Sequence, residues 1–125
     1  MNFLKAEIVQ VSEKFAKVKG CVKKCFLNVH GTAHGSYLFA LADFAFSLVS
    51  NYDKPRVAVS MHVNFIKPVY IGEEIVAEAK VIRKTKKFVF CEINVKREND
   101  TILHGTAISY SLTSHTASKC LLSKS

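Results

Sequence analysis

The chain has 125 residues, of which 49% are hydrophobic, and its 18 basic and 10 acidic side chains give a formal net charge of +8. This length suits one domain, which we expect to span residues 1–125, and the hydrophobic content excludes an intrinsically disordered chain. The excess of basic residues favours an anionic partner such as nucleic acid, anionic lipid or a phosphorylated ligand.

No segment has the length and apolar character of a transmembrane helix, and residues 1–7 lack the pattern of a signal peptide. We therefore expect a cytoplasmic protein without membrane contact. Thiols stay reduced in that compartment, so the four cysteines are interpreted as small apolar residues. Cys21 and Cys25 are four positions apart, and no pair has Cys-x-x-Cys spacing, which argues against a metal site.

Two strands are predicted first, at residues 6–11 and 15–26, followed by an irregular segment and a helix at 36–50 that Asn51 ends. Four more strand-like runs follow, at 57–66, 74–83, 87–97 and 101–112. In the first of these runs, one face should hold Val57, Val59, Met61, Val63 and Phe65. Short turns join the late strands. We therefore expect strands that follow one another in the chain to be antiparallel neighbours in the sheet. An α+β fold follows, with an antiparallel sheet wrapped around one long helix in the order β-β-α-β-β-β-β.

The predicted helix is apolar around most of its circumference. One buried face is formed by Leu38, Leu41, Ala42, Ala45, Leu48 and Val49. The stripe of Phe39, Asp43 and Phe46 is also mostly apolar, so other structure should enclose the helix together with Asp43. Burying a carboxylate without partners costs several kcal/mol. Asp43 is therefore either a structural carboxylate that accepts hydrogen bonds or a residue that takes part in chemistry.

The segment before the helix reads Asn28-Val-His-Gly-Thr-Ala-His34-Gly35-Ser36, and Asp43 follows it. The pattern Asn-x-x-Gly-x-x-His-Gly-Gly with a later Leu-x-Asp resembles the signature of the hotdog-fold thioesterases. Within that family, it resembles the phenylacetate-pathway and 4-hydroxybenzoyl-CoA thioesterase branches. The resemblance covers residues 8–112 and includes Asn-Phe-Ile-Lys-Pro at 64–68. It implies a hotdog fold and an acyl-CoA thioesterase that needs no cofactor.

The resemblance also implies a role for each matching residue. Asp43 would act as general base on water or as nucleophile, and Asn28 would orient the attacking water or the substrate. Gly35 would offer its backbone N–H to the thioester carbonyl, at a helix N-terminus that favours developing negative charge. His34 belongs to the same segment and would shape the turn rather than transfer protons.

Ser36 departs from the family pattern, which has a second glycine at this position. We favour the interpretation that Ser36 is the N-cap of the helix. The alternative is that its hydroxyl lies near the carbonyl pocket and contacts the substrate.

The densest basic run lies in a predicted turn between two strands and contains Arg83, Lys84, Lys86 and Lys87. The family resemblance places this run near the phosphates of coenzyme A. The alternative is a solvated turn, which is the usual outcome for so short a charge run. No aromatic residue interrupts the basic residues, which disfavours nucleic acid as a partner.

The positions of Gly35 and Asp43 predict an assembly. They are eight residues apart, a helical rise of about 12 Å, whereas one thioester carbon must lie within roughly 3–3.5 Å of its attacking group and near its donors. A two-fold homodimer with antiparallel helices could pair Asp43 of one protomer with Asn28 and Gly35 of the other, which gives two equivalent sites. The resemblance implies the same shared sites, usually in a dimer of dimers, and hence a homotetramer.

Two other functions stay open on the same fold. One is that of a non-catalytic binding or regulatory module for acyl thioesters. Such a module has no need for a buried carboxylate at Asp43. The other is a hydratase, which would need an Asp/His pair in an arrangement that the sequence does not show.

Overall fold

The computed structural model describes residues 5–112. In this part of the chain the elements are β1 (Glu7–Val11), β2 (Phe15–Cys21), a 3-10 turn (Lys24–Phe26), α1 (Gly35–Ser50), β3 (Arg56–Phe65), β4 (Glu74–Lys84), β5 (Phe88–Arg97) and β6 (Asp100–Ser111). The predicted order and the α+β class are confirmed. The second strand is shorter than predicted, because the chain leaves the sheet after Cys21 and forms the 3-10 turn.

The six strands form one antiparallel sheet in the order β1-β2-β4-β5-β6-β3. The prediction that β3 lies beside β4 is wrong. The β1–β2 hairpin occupies that place, since β2 pairs with β4 from Phe15 opposite Lys80 to Cys21 opposite Glu74. The chain therefore crosses over after Phe65, and β3 pairs with β6 instead. Within the described residues, the other edge of β3 has no partner strand.

One face of the sheet packs against α1. The helix contributes Tyr37, Leu38, Leu41, Ala42, Ala45, Phe46 and Val49 to the core. The inward side chains of β4 and β5 are Ile75, Ala77, Ala79, Val89, Cys91, Ile93 and Val95, all 1% exposed or less. Burying a large aliphatic side chain contributes about 1.5–3 kcal/mol. The alanines of β4 leave room for the helix to lie close to the sheet.

A β-bulge interrupts β3 between Ala58 and Ser60. It leaves Val59 without a residue opposite it and reverses the alternation of side chains along the strand. Before the bulge, Arg56 is buried, whereas Val57 is 45% exposed. After the bulge, Met61 packs against the core. The expectation that Val57 and Met61 share one face is therefore wrong.

Candidate active site

The side chain of Asn28 organises residues 28–34, which we call the 28–34 loop. Its Oδ1 accepts hydrogen bonds from the backbone N–H groups of His30 at 2.9 Å and Thr32 at 3.2 Å. Gly31 turns the chain with a φ of 81°, a left-handed conformation that glycine adopts without strain. Because the side-chain oxygen is committed to the loop, the carboxamide nitrogen is the group that can donate to a water or a substrate.

The C-terminal end of the 28–34 loop is tied to neighbouring segments on two sides. The N–H of Ala33 donates to the carbonyl of Val69, and the N–H of His34 donates to the carbonyl of Phe26, both at 2.7 Å. The side chain of His34 is exposed. His34 thus holds the turn through its backbone, and its role in the reaction stays a prediction.

Helix α1 begins at Gly35 with His34 as its N-cap, and no side chain caps it. The carbonyl of His34 accepts from the N–H groups of Tyr37 at 3.0 Å and Leu38 at 3.3 Å. In the described part of the chain, nothing accepts from the N–H groups of Gly35 and Ser36. The prediction that Ser36 is the N-cap is wrong, because the extended backbone of His34 already starts the helix. Two free N–H groups at a helix N-terminus form a site for developing negative charge.

Phe65, at the end of β3, lies against Gly35. A Cβ atom at position 35 would be 3.2 Å from the ring of Phe65, so this close approach favours glycine. The aromatic side chain, 54% exposed, forms a wall beside the free N–H groups. Sequence reasoning did not assign Phe65 to the site, although it stands in the Asn-Phe-Ile-Lys-Pro segment that supported the resemblance.

Asp43 is half-buried in the middle of α1. No described residue donates a hydrogen bond to its carboxylate or pairs with it as a cation. A structural carboxylate would need such partners. Burial raises the pKa of Asp43 above its usual range, because removing water disfavours the charged form. A carboxylate in this environment therefore holds a proton more readily than an exposed one.

Asp43 lines a cavity of about 230 Å³ between α1 and the first residues of β3. Its other walls include Phe46, Ser47, Ser50, Arg56 and Ser109. Ligand pockets usually measure about 300–1,000 Å³, so a single protomer offers space for a small group beside Asp43 and not for a whole nucleotide thioester.

A larger cavity, of about 790 Å³, lies at the opposite end of the sheet. Its walls carry four carboxylates, Glu73, Glu74, Glu98 and Asp100, and one cation, Arg97, which pairs with Glu73 and Asp100. These carboxylates would repel the phosphates of a nucleotide ligand. The charge of the cavity walls therefore favours the smaller cavity beside Asp43 as the candidate site.

One chain does not bring all the predicted residues to one point. Asn28, His34, Gly35 and Ser36 lie together at the N-terminal end of α1. Asp43 is eight residues further along a continuous 16-residue helix, at a rise of about 12 Å from Gly35. The carboxylate and the free N–H groups of the same protomer therefore cannot act on the same thioester carbon.

The basic run spans the last two residues of β4 and the turn to β5, beside the segment that follows the C-terminal end of α1. Lys84 differs from its neighbours, because its ammonium pairs with Asp53 at 2.8 Å and with Glu13 at 3.1 Å. The other three side chains of the run are exposed, namely Arg83, Lys86 and Lys87.

Arg56 is a buried cation that sequence reasoning missed. Its side chain is 1% exposed, and its Nη1 donates to the carboxylate of Asp53 at 2.6 Å and to the carbonyl of Ser50 at 2.7 Å. Asp53 in turn pairs with Lys84, so charged side chains connect the end of α1 to β3 and β4. The bulge puts Arg56 on the inner face of the sheet, and the sequence carries no signal of its own for the bulge.

Residues 5–112 contain neither a candidate metal site nor a candidate membrane-spanning helix. No group of three or more His, Cys, Asp or Glu side chains is placed to hold a metal ion. No helix is long and apolar enough to cross a membrane. Cys21, Cys25 and Cys91 are free thiols, and Cys25 is exposed rather than in the core, whereas Cys120 lies outside the described residues.

Comparison with known proteins identifies the family. Residues 30–104 match the thioesterase superfamily. A relative from Archaeoglobus fulgidus is 37% identical over 103 residues, which cover 82% of this chain and 67% of the relative. The acyl-coenzyme A thioesterase PaaI of Escherichia coli is 32% identical over 71% of this chain, and the match covers 64% of that protein. The chain thus spans about two thirds of the length of these curated relatives.

Solved structures support the same family. The phenylacetic acid degradation protein PaaI of Thermus thermophilus, in a mutant form, superposes with a TM-score of 0.86 and 30% identity, covering 90% of this chain and 100% of that protein. The Escherichia coli PaaI structure gives a TM-score of 0.85 and 28% identity, covering 88% of this chain and 81% of that one. The predicted hotdog fold is confirmed. The chain belongs to the thioesterase superfamily, in its phenylacetate-pathway-like part.

Proposed function

We propose that the protein is an acyl-CoA thioesterase whose active sites are shared between two protomers, with Asp43 as general base or nucleophile. The observation that carries this proposal is the half-buried Asp43 carboxylate, which has no partner among residues 5–112. The similarity to a protein named acyl-coenzyme A thioesterase supports the choice of substrate class.

The free edge of β3 supports a dimer. This ten-residue strand ends the sheet, and its Val57 and Val59 side chains are 45% and 56% exposed. An exposed apolar edge of this length favours pairing with another strand. Pairing of two β3 edges about a two-fold axis would extend the sheet through both protomers and place their helices side by side in opposite directions. The Asp43 of one protomer then faces the 28–34 loop of its partner.

Hydrolysis in such a site begins at the thioester carbonyl. As general base, Asp43 takes a proton from a water while the water oxygen attacks the carbonyl carbon. As nucleophile, Asp43 itself attacks and forms an anhydride that water then cleaves. The partner's Asn28 donates from its carboxamide nitrogen to the attacking water or to the substrate.

The free N–H groups of the partner's helix then stabilise the tetrahedral intermediate. The carbonyl oxygen becomes an oxyanion beside the N–H of the partner's Gly35, where the helix dipole adds a favourable field. The intermediate collapses with loss of the CoA thiolate, which takes up a proton. The products are a free acid and CoA.

The basic turn is the proposed contact for the phosphates of CoA. Antiparallel helices place the turn of one protomer beside the 28–34 loop of the other, at the entrance to the shared site. The exposed Arg83, Lys86 and Lys87 are free to bind phosphate, while Lys84 is held by two carboxylates and contributes mainly through its charge.

A dimer of dimers is the proposed complete assembly. The outer face of the sheet carries an apolar cluster in which the ring of Phe88 lies 6.0 Å from Phe90 and 5.0 Å from Tyr110. Ile82, 62% exposed, lines a shallow cavity together with Phe90. Apolar surface of this kind favours association with a second dimer.

The Asp43→Asn variant tests the proposed function. We expect kcat for the best acyl-CoA substrate to fall at least about a hundredfold, the usual scale for a lost general base. Release of CoA thiol from a panel of acyl-CoA thioesters measures this rate. Circular dichroism and size-exclusion chromatography should show an unchanged fold and assembly, since Asp43 bonds to no described residue.

Asp100→Asn is the matched control, because it makes the same chemical change at a surface aspartate paired with Lys67 and Arg97. Its turnover should equal that of the wild type. Near wild-type turnover by Asp43→Asn would contradict the assigned role. Unfolding of that variant would instead support a structural role for the carboxylate.

A further inference from the structure

Two aromatic rings stack beside the N-terminus of α1. Phe26 ends the 3-10 turn, and Tyr37 lies in the first turn of the helix. Their ring centroids are 4.1 Å apart and their planes differ by 9°, which is a stacked arrangement. Tyr37 is 4% exposed, and Phe26 packs against the core. The pair therefore joins the segment before the 28–34 loop to the helix that follows the loop.

The same two residues hold the backbone of His34. Its N–H donates to the carbonyl of Phe26 at 2.7 Å, and its carbonyl accepts from the N–H of Tyr37 at 3.0 Å. Both polar backbone groups of His34 are thus bonded to residues whose rings are stacked on each other. His34 is held by a closed set of contacts.

The hydrogen bonds of His34 fix the direction of the next N–H group. The peptide group between His34 and Gly35 is planar and trans, so the carbonyl of His34 and the N–H of Gly35 point in opposite directions. Because Tyr37 and Leu38 hold the carbonyl inside the first turn, the N–H of Gly35 points out of the helix. It is one of the two N–H groups there that have no acceptor among residues 5–112, and the proposed reaction uses it to stabilise the oxyanion.

The hydroxyl group of Tyr37 anchors the ring at its other end. It donates a long hydrogen bond of 3.4 Å to the carbonyl of Cys21, the last residue of β2. Burial raises the pKa of Tyr37 to about 12, so the hydroxyl stays protonated and remains a donor at neutral pH. A Cβ atom at Gly20 would lie 2.7 Å from this oxygen, so the glycine leaves space for it. Tyr37 is therefore held by the sheet as well as by Phe26.

We propose that Tyr37 is a positioning residue that aims the N–H of Gly35 at the oxyanion, acting through its stack with Phe26 and through His34. The inference rests on the proposed function, because it assigns a support to the oxyanion donor of the same site. Charge on the carbonyl oxygen develops only on the way to the tetrahedral intermediate. A misdirected N–H should therefore lower kcat and leave KM nearly unchanged.

Two substitutions at Tyr37 test the stack. Tyr37→Phe keeps the ring and loses only the long hydrogen bond, so its kcat should stay within about threefold of the wild type. Tyr37→Leu keeps an apolar side chain in the core but cannot stack. We expect its kcat for acyl-CoA to be at least about tenfold below that of Tyr37→Phe, with KM within about twofold. Release of CoA thiol measures both constants.

Val89→Ala is the matched control, because it removes buried apolar volume at the opposite end of α1. Val89 is 1% exposed and lies opposite Ser109, whose hydroxyl bonds to Ser50, the last residue of the helix. The control should lower the melting temperature and keep the wild-type kcat. An equal loss of kcat in Val89→Ala and Tyr37→Leu would overturn the inference, because general loosening of the core would then explain both.

A double-mutant cycle tests whether Tyr37 acts through the N–H of Gly35. Gly35→Pro removes this N–H, whereas Gly35→Ala keeps it. Tyr37→Leu should lower kcat at least about tenfold in the Gly35→Ala background and by no more than about twofold in the Gly35→Pro background. If Tyr37→Leu does not fold, Phe26→Leu takes its place in the cycle, since it breaks the same stack at a partly buried residue.

Equal fold losses in the two backgrounds, or equal kcat values for Tyr37→Phe and Tyr37→Leu, would overturn the positioning role. A kcat for Gly35→Pro far below that for Gly35→Ala would in that case leave the proposed function intact. No turnover of any acyl thioester by the wild type would overturn both.

Discussion

The two ends of helix α1 are built in different ways. At the N-terminal end, backbone hydrogen bonds hold the 28–34 loop, with Asn28 as the main side-chain contributor. At the C-terminal end, charged side chains hold the structure together, since Arg56, Asp53 and Lys84 form a connected network of ion pairs. In the proposed active site, the two ends have different roles. A backbone-held end can leave N–H groups free for a substrate, and a charge-held end can place a cation inside the protein.

The two ends also differ in what a substitution should affect. Changes at the N-terminal end that leave the buried Ala33, Tyr37 and Leu38 in place should alter catalysis while the fold persists. Changes at the C-terminal end should mainly alter stability, because the network connects the helix, β3 and β4.

The largest effect is expected from removing one N–H group at the N-terminal end. Gly35→Pro removes the free N–H, and proline suits the first helical position. The preceding His34 has φ −60° and ψ 138°, which a following proline accepts. Gly35→Ala adds a carbon against Phe65 but keeps the N–H. We expect kcat for Gly35→Pro to be roughly 10²–10³-fold below that of Gly35→Ala, as for a lost oxyanion donor.

Thiol-release kinetics on the two position-35 variants, with matched melting temperatures, measure this difference. Adding Phe65→Leu to both should relieve the shared crowding and leave the ratio between them unchanged. Equal kcat values for the two variants would show that the N–H of Gly35 does not contact the reacting carbonyl.

At the C-terminal end, Asp53→Asn should lower the free energy of unfolding by about 1–2 kcal/mol at pH 7. A fully buried pair would cost about 3–5 kcal/mol, but the Asp53 side chain is 38% exposed. Hydrogen bonds from Arg56 and Lys84 hold the pKa of Asp53 well below its usual range. The stabilisation is therefore fully present above the unfolded pKa, near 4, and declines as the pH falls below it.

Urea unfolding at pH 7, 5 and 3 tests this pH dependence. The difference between wild type and Asp53→Asn should be constant from pH 7 to 5 and smaller at pH 3. A difference that grows as the pH falls would contradict the ion-pair network as its source.

In the basic turn, substitutions should separate an effect on substrate binding from an effect on stability. Both effects should be smaller than those above. Lys86→Ala with Lys87→Ala should raise KM for acyl-CoA severalfold and leave kcat nearly unchanged, because exposed charges contact phosphate equally in the ground and transition states. Lys84→Ala should mainly lower stability, since it removes the pairs with Asp53 and Glu13. An acyl-pantetheine thioester, which lacks the nucleotide phosphates, should show a much smaller KM change for the double variant. Equal KM changes on both substrates would indicate that the basic run is a solvated turn that does not bind the phosphates of CoA.

The local structure of the N-terminal end was predictable from sequence because its residues are close together in the chain, whereas their roles in the reaction stay predictions. Asn28, Gly35 and Asp43 stand close together in the chain, and a glycine or an isolated carboxylate in an apolar helix carries a direct physical meaning. The helix was predicted within one residue of its observed start. Its N-cap was predicted to be Ser36, whereas the structure has His34 there.

The C-terminal end depends on long-range pairing that periodicity does not show. The bulge at Val59 buries Arg56, and the pairing of β2 with β4 sends β3 to the opposite edge of the sheet. Both follow from the competition among strands for partners, which a single strand's pattern of apolar residues does not encode. Arg56 and Phe65 were therefore assigned to the site only from the structure.

The shared site is the central claim, and subunit exchange tests it most directly. Asn28→Ala and Asp43→Ala homodimers should each be inactive, since every site lacks one residue. After mixing and exchange, a hybrid dimer contains one site with both residues intact, so activity should return toward half of the wild-type value per hybrid. Native mass spectrometry of tagged subunits confirms that hybrids form. Hybrids that form and stay inactive would contradict a site built from Asp43 of one protomer and the 28–34 loop of its partner.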